Sequence, residues 1–137
     1  RRLQPFHTTM SRLRIQHVSV PRPSGSADQA RRFYTDVLGL EEVSPPKALA
    51  HLDLVWYRIG DGELHLFAED GADQRSGRHF CLEVDDLEAV RARLTAAGVA
   101  VEETIPIPGR PRFFCRDPFG NQIEVTTITG DYRSLEA

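Results

Sequence analysis

The sequence is short of several things. It has two cysteines, Cys81 and Cys115, in 137 residues. That is too few for a disulfide framework, and they form no Cys-x-x-Cys zinc site. Both lie in apolar, strand-like runs, which predicts reduced and packed thiols. No apolar run approaches the roughly 20 residues of a membrane-spanning helix, so no membrane contact is expected. Positive charge is not in excess. Seventeen Lys and Arg against 20 Asp and Glu give a formal net charge of −3, whereas a nucleic-acid-binding domain would carry a basic face. The N-terminal arginines have no apolar stretch behind them, unlike a secretory signal, and a cytoplasmic location is expected. What is present is 40% hydrophobic and 27% charged, ordinary for one globular domain or two half-size modules sharing a core.

The strongest pattern is internal repetition. Residues Ile15 to Val20 alternate as a strand, with Ile15, His17 and Ser19 on one face. A proline-rich break follows, and Ser26-Ala27-Asp28-Gln29 resembles a capping box. Ala30, Phe33, Tyr34 and Val37 then recur at helical spacing up to Gly39, a C-terminal cap. Leu40 to Val43 and His51 to Ile59 read as strands. After Gly60-Asp61-Gly62 comes another, Glu63 to Phe67, with Glu63, His65 and Phe67 on one face. The same order returns from His79. There is a strand, then a helix capped by Asp85 or Asp86 with Leu87, Val90 and Leu94 on its apolar side, then Gly98. Strands follow at Val99 to Val101, Arg112 to Arg116 and Gln122 to Ile128, the last two joined by the turn Asp117 to Asn121. Landmarks recur at offsets of 62 residues (17 to 79), 59 (39 to 98) and 59 (65 to 124). Near-constant offsets predict an α+β domain of duplicated βαβββ modules. The first spans 13–68 and the second 78–128, joined by a linker at 69–77. An N-terminal extension occupies 1–12 and a tail 129–137.

Polar residues on these strands carry the functional signal. His17 and His65 stand on the first and last strands of the first module, His79 and Glu124 at matching places in the second. Singly, each reads as an ordinary surface or hydrogen-bonded side chain. Jointly they form a set of imidazole and carboxylate donors suited to borderline divalent metals. Glu63 and Glu83 lie two residues from His65 and His79 and are candidates to hold an imidazole, or are simply exposed at strand ends. Trp56, Phe67, Phe113 and Phe114 are strand aromatics. Half of them are expected in the core, and Phe67, on the His65 face, is the best candidate to touch substrate. Arg110 and Arg112 flank a Pro-Gly loop and could meet an anionic substrate, though a solvated loop arginine is the default. His51 has no repeat partner and is expected outside the site, as is His7.

Three segments carry a resemblance to a known family: Phe33-Tyr34-Thr35-Asp36-Val37-Leu38-Gly39-Leu40, His79-Phe80-Cys81-Leu82-Glu83-Val84-Asp85, and Asp117-Pro118-Phe119-Gly120-Asn121-Gln122-Ile123-Glu124. Over Leu13 to Ile128 the chain resembles the vicinal oxygen chelate superfamily. That group includes glyoxalase I, extradiol dioxygenases, methylmalonyl-CoA epimerase, fosfomycin resistance enzymes and bleomycin resistance proteins. The resemblance implies two βαβββ modules forming an open, curved mixed sheet around a central metal or ligand cleft. It also implies one divalent ion per chain (Zn, Ni, Co, Mn or Fe), with His17, His79 and Glu124 at positions that often bind it. His65 stands where glyoxalase I has a glutamate, a departure that argues against glyoxalase I activity itself.

These readings lead to a metal-dependent enzyme acting on a small oxygen-chelating substrate by lyase or isomerase chemistry, with Glu124 as the base. Two alternatives stand beside it: an extradiol-type dioxygenase using His17, His79 and Glu124, and a metal-free drug-binding protein of the bleomycin resistance kind. The expected substrate pocket is Phe67, Trp56, Phe114, Arg110 and Arg112. A homodimer is expected, because open sheets leave edges that need covering.

Overall fold

The computed structural model describes residues 13–72 and 76–137. The expected extension at 1–12, with His7, and the middle of the expected linker lie outside them. Strand β1 (His17–Arg22) leads to helix α1 (Ala27–Arg31), which continues as a π-helical segment, Arg32–Val37. The chain turns at Gly39, whose φ of 78° is cheap only without a Cβ. The expected capping box does not form. Ser26 makes no side-chain bond to the first helical turn; its hydroxyl donates to the Pro23 carbonyl and accepts from Arg22 at 3.2 Å. The cause is Arg22, wholly buried at the end of β1, where an unpartnered guanidinium would be costly. Its other partners are the Pro23 and Asp53 carbonyls and the Asp53 carboxylate.

Strands β2 (Glu41–Val43), β3 (Leu54–Ile59) and β4 (Gly62–Ala68) complete the first sheet in the order β1-β4-β3-β2. The outer pair, β1 and β4, is parallel and the rest antiparallel. The second module repeats the plan with β5 (His79–Glu83), α2 (Leu87–Ala96), β6 (Arg112–Arg116) and β7 (Gln122–Thr126), in the order β5-β7-β6, with β5 and β7 parallel. Asp86 caps α2, accepting from the Ala89 amide at 3.0 Å.

One expected strand is corrected here. Val99 to Val101 is not a strand; pairing there is limited to one bridge between Glu102 and Phe114. Pro106, Pro108 and Pro111 follow closely, and proline cannot donate to a ladder. The tail carries secondary structure of its own. Asp131 caps a short helix, α3 (Tyr132–Leu135).

The inner faces of both sheets share one core. Val55, Tyr57, Leu64 and Leu66 come from the first module, and Leu82, Phe113, Ile123 and Val125 from the second. Two segments behind the family resemblance meet inside it. The Tyr34 hydroxyl donates to Asp117 Oδ2 at 2.6 Å, across 83 positions of sequence. Asp117 also accepts from the Phe119 and Asn121 amides, and Asn121 donates to the Pro21 carbonyl at 2.8 Å. The β6–β7 turn is thereby fastened to both the first helix and β1. Burial pushes the Asp117 carboxyl up, against these hydrogen bonds, and pushes the Tyr34 hydroxyl well above its ordinary range, helped by Asp117.

Candidate functional site

Strand register builds the site. On β4, residue His65 lies opposite Trp56 of β3 and Ser19 of β1. On β7, residue Glu124 lies opposite Phe114 of β6 and Cys81 of β5. Because side chains alternate across a strand, His17, His65 and Trp56 share the face turned away from the core. His79, Glu124, Phe114 and Arg112 share the equivalent face of the second sheet.

The first half is an aromatic stack. The His65 ring lies on Trp56, centroids 3.6 Å apart and planes 4° from parallel, and His17 stacks at 4.1 Å on His65. His65 is 8% exposed as a result. Its Nε2 lies 2.8 Å from Glu63 Oε1, the contact that holds the Glu63 carboxyl below its usual range. A carboxylate only accepts, so Nε2 bears the proton and Nδ1 is the free donor atom. Ring nitrogens bind ions in the ring plane, so two stacked rings cannot both direct a nitrogen at one ion in this arrangement.

The second half is polar and convergent. His79 Nδ1 lies 2.9 Å from the Gly77 carbonyl. That oxygen can only accept, so Nδ1 carries a proton, and whenever the ring is neutral its lone pair lies at Nε2. Nε2 faces Glu124 Oε1 at 3.1 Å. Two acceptors at that separation are stabilised by a cation shared between them, either a proton or a metal ion. Adjacent ligands of an ion with bonds of about 2.1 Å stand roughly 3 Å apart, so this pair fits a metal edge. Backbone anchorage of the opposite ring nitrogen is also the usual support of a ligand histidine.

Arg112 departs from its expected role. It does not stand free to meet an anion: Nη1 binds Glu124 Oε2 at 3.2 Å, and Nη2 and Nε reach the Ile105 carbonyl at 2.9 and 3.3 Å. Arg110 lies over the Tyr132 ring at 4.8 Å, exposed. Phe113 is core, whereas Phe114 meets His79 edge-on at 5.0 Å. Phe67 keeps the His65 face and is half-buried; His51 is exposed. Cys115 is packed as expected, but Cys81 opens onto the site face. Partial burial, then Glu124, push the Cys81 thiol up to about 11.

Across the described residues no three His, Cys, Asp or Glu side chains gather as a metal-ligand group. The four candidates stand instead as two pairs, one per module. Between the modules, along the edges of β1 and β5, lies a cleft of about 440 Å³ lined by Ser19, Pro21, Arg78, His79 and Gln122 among others. Its volume suits a small molecule. Sequence reasoning missed the Arg112–Glu124 pair. The signal was present, since a hairpin turning on Asp117 to Asn121 sets Arg112 diagonal to Glu124 on one face.

Paired βαβββ units, each with a parallel outer pair and donors on the exposed face, define a glyoxalase-type fold. The chain belongs to the Glyoxalase/Bleomycin resistance protein/Dioxygenase superfamily, whose family model matches residues 14–125. A solved structure from Bacillus anthracis, assigned to the glyoxalase family, is 30% identical with a TM-score of 0.80, covering 85% of this chain and 95% of that one. Lactoylglutathione lyase from Agrobacterium tumefaciens is 28% identical with a TM-score of 0.63, covering 83% and 92%. An antibiotic binding protein from Streptomyces sp. CB03234 is 26% identical with a TM-score of 0.67, covering 85% and 96%. No curated protein matches the chain.

Proposed function

We propose that the chain is a divalent-metal-dependent enzyme that moves a proton on a small substrate bearing two neighbouring oxygens. The observation carrying this reading is the facing of His79 Nε2 and Glu124 Oε1 at 3.1 Å, with the His79 proton held on the other nitrogen by Gly77. His79 and Glu124 would hold the ion, and one ring of the His17–His65 stack, which cannot offer both nitrogens to one ion as stacked, would supply a further donor. Bound there, a divalent ion would supply Lewis-acid polarisation of the two neighbouring oxygens. With Oε2 held by Arg112, Glu124 has one oxygen left, Oε1, which would have to leave the ion to take the substrate proton and then return it. His65, Trp56 and Phe67 present an apolar and aromatic wall that orients the substrate and excludes water.

Each module offers one pair of donors, so a homodimer is the assembly we propose, with a second copy bringing one chain's first-module pair toward another's second-module pair. Light scattering at micromolar concentration tests this; a monomeric mass contradicts it. Extradiol oxygenation ranks lower, because it demands Fe(II) on two histidines and one carboxylate with positions left for both substrate and oxygen.

The direct test is metal analysis of untagged protein purified without added metal. Wild type is expected to carry about one equivalent, and Glu124→Gln to carry none. Full occupancy of that variant overturns the reading. One observation favours a second reading, metal-free capture of a flat aromatic ligand: the parallel His17–His65–Trp56 stack is a ready platform for another ring. Tight binding of a planar aromatic compound by metal-stripped protein, unchanged on adding metal, would select it.

A further inference from the structure

We infer that Arg112 is a positioning residue for Glu124, and that the loop ahead of β6 holds Arg112 in place for that purpose. This rests on the reading of Glu124 as ligand and base, and assigns a role to a residue outside the donor set. A carboxylate on an open strand face has freely rotating terminal torsions. Glu124 does not have that freedom. Arg112 Nη1 takes Oε2 at 3.2 Å, which leaves Oε1 turned to His79 at 3.1 Å. Both partners are largely enclosed, with side chains 16% and 15% exposed.

The guanidinium is itself fixed from two sides. Its Nη2 and Nε converge on the Ile105 carbonyl, and its central carbon lies over the Phe114 ring, 5.7 Å from the centroid. The Ile105 carbonyl belongs to a loop that is fastened in turn. Gly109 accepts from the Thr129 amide at 2.8 Å, and a Cβ added at Gly109 would stand 2.6 Å from the Gly130 oxygen. Arg110 on Tyr132 closes the same contact. A planar fork that grips a carboxylate on one edge and a carbonyl on the other is a property of arginine alone; lysine offers one point charge. No equivalent exists in the first module, where the matching β3 position is Leu54.

The experiment compares wild type, Arg112→Ala and Arg112→Lys in two arms. In the first, metal-stripped proteins are titrated with Co(II) while the visible spectrum of the bound ion is recorded. Arg112→Ala is expected to bind Co(II) about tenfold or more weaker, the scale of an outer partner of a ligand, with an altered spectrum. Millimolar guanidinium chloride should restore both where sodium chloride does not. Arg112→Lys should remain weaker than wild type, and it carries the comparison should the alanine variant not fold. In the second arm, crystal structures of the metal-free proteins report the His79–Glu124 distance, which is expected to open in both variants. Wild-type affinity and spectrum in Arg112→Lys, or an unchanged His79–Glu124 contact in the metal-free variants, overturn the inference. If wild type takes up no Co(II) but the metal-free contact opens, the proposed metal chemistry falls and the positioning role stands.

Discussion

His65 and Glu124 occupy the same place in the repeat, yet their surroundings could hardly differ more. His65 is pressed between two rings and bonded to Glu63. Glu124 faces an imidazole edge and a guanidinium. The strand frame is identical: Trp56 matches Phe114, Ser19 matches Cys81, and Leu54 matches Arg112. Duplication therefore fixes where a side chain stands, and the cross-strand neighbours decide what it can do. One half of the molecule stacks rings, and the other sets an imidazole nitrogen and a guanidinium against one carboxylate. The ends of the first strands differ as well. β1 finishes in buried Arg22 with its clasp on Asp53, whereas β5 runs through Val84, whose amide donates to Thr126, into a capped helix.

The sharpest way to break this comparison is to disable the halves separately. His79→Ala is expected to abolish stoichiometric divalent metal, while His17→Ala leaves measurable binding, both read by calorimetry on stripped protein. Equal and complete loss in the two would erase the distinction. The second test concerns the shared core. Leu64 and Ile123 are repeat equivalents, both fully buried. Truncating either to alanine should cost about 2–5 kcal/mol in a single urea transition. Two transitions, each sensitive to one variant, would mean that the modules fold apart.

A smaller effect is expected at the tie between modules. Tyr34→Phe removes a hydrogen bond to a carboxylate, worth about 1.5–3 kcal/mol. The sign with pH follows from Asp117. Burial raises its folded pKa, so its ionised form is disfavoured in the fold, and stability falls as pH rises through the interval above the ordinary carboxylate value. The Tyr34 bond opposes that rise. The Tyr34→Phe deficit should therefore be larger at neutral pH than in acid, and a constant deficit across that range would refute the assignment. The smallest effect is expected from Cys81→Ser, which copies Ser19 of the first module and should shift stability by no more than about 0.5 kcal/mol.

Much of this was legible in the sequence. Alternation placed His65 with Phe67 and Glu63, offsets matched His65 to Glu124, and glycines marked both helix ends. What periodicity could not supply was competition between partners. Ser26 had the makings of a cap, but the nearby buried guanidinium of Arg22 took its hydroxyl. Arg112 read as a solvated loop residue because it flanks the Pro-Gly loop, although the hairpin at Asp117 to Asn121 already set it diagonal to Glu124. Val99 to Val101 looked like a strand, and only the prolines beyond it explain why pairing stops at Glu102. That the four candidates stand as two separate pairs was beyond spacing altogether, since it depends on how two sheets lie in space.

The parallel outer pairs bear on how the chain acquires its structure. β1 pairs with β4, and β5 with β7, each the last strand of its own module. The first strand of a module thus waits, unpaired, until the hairpin behind it has formed and the intervening loop has been closed at an entropic cost. During synthesis the first module can close before the second is made. Its Tyr34 hydroxyl nevertheless has no carboxylate to meet until Asp117 emerges, so the final locking of the early half awaits the latest-made hairpin.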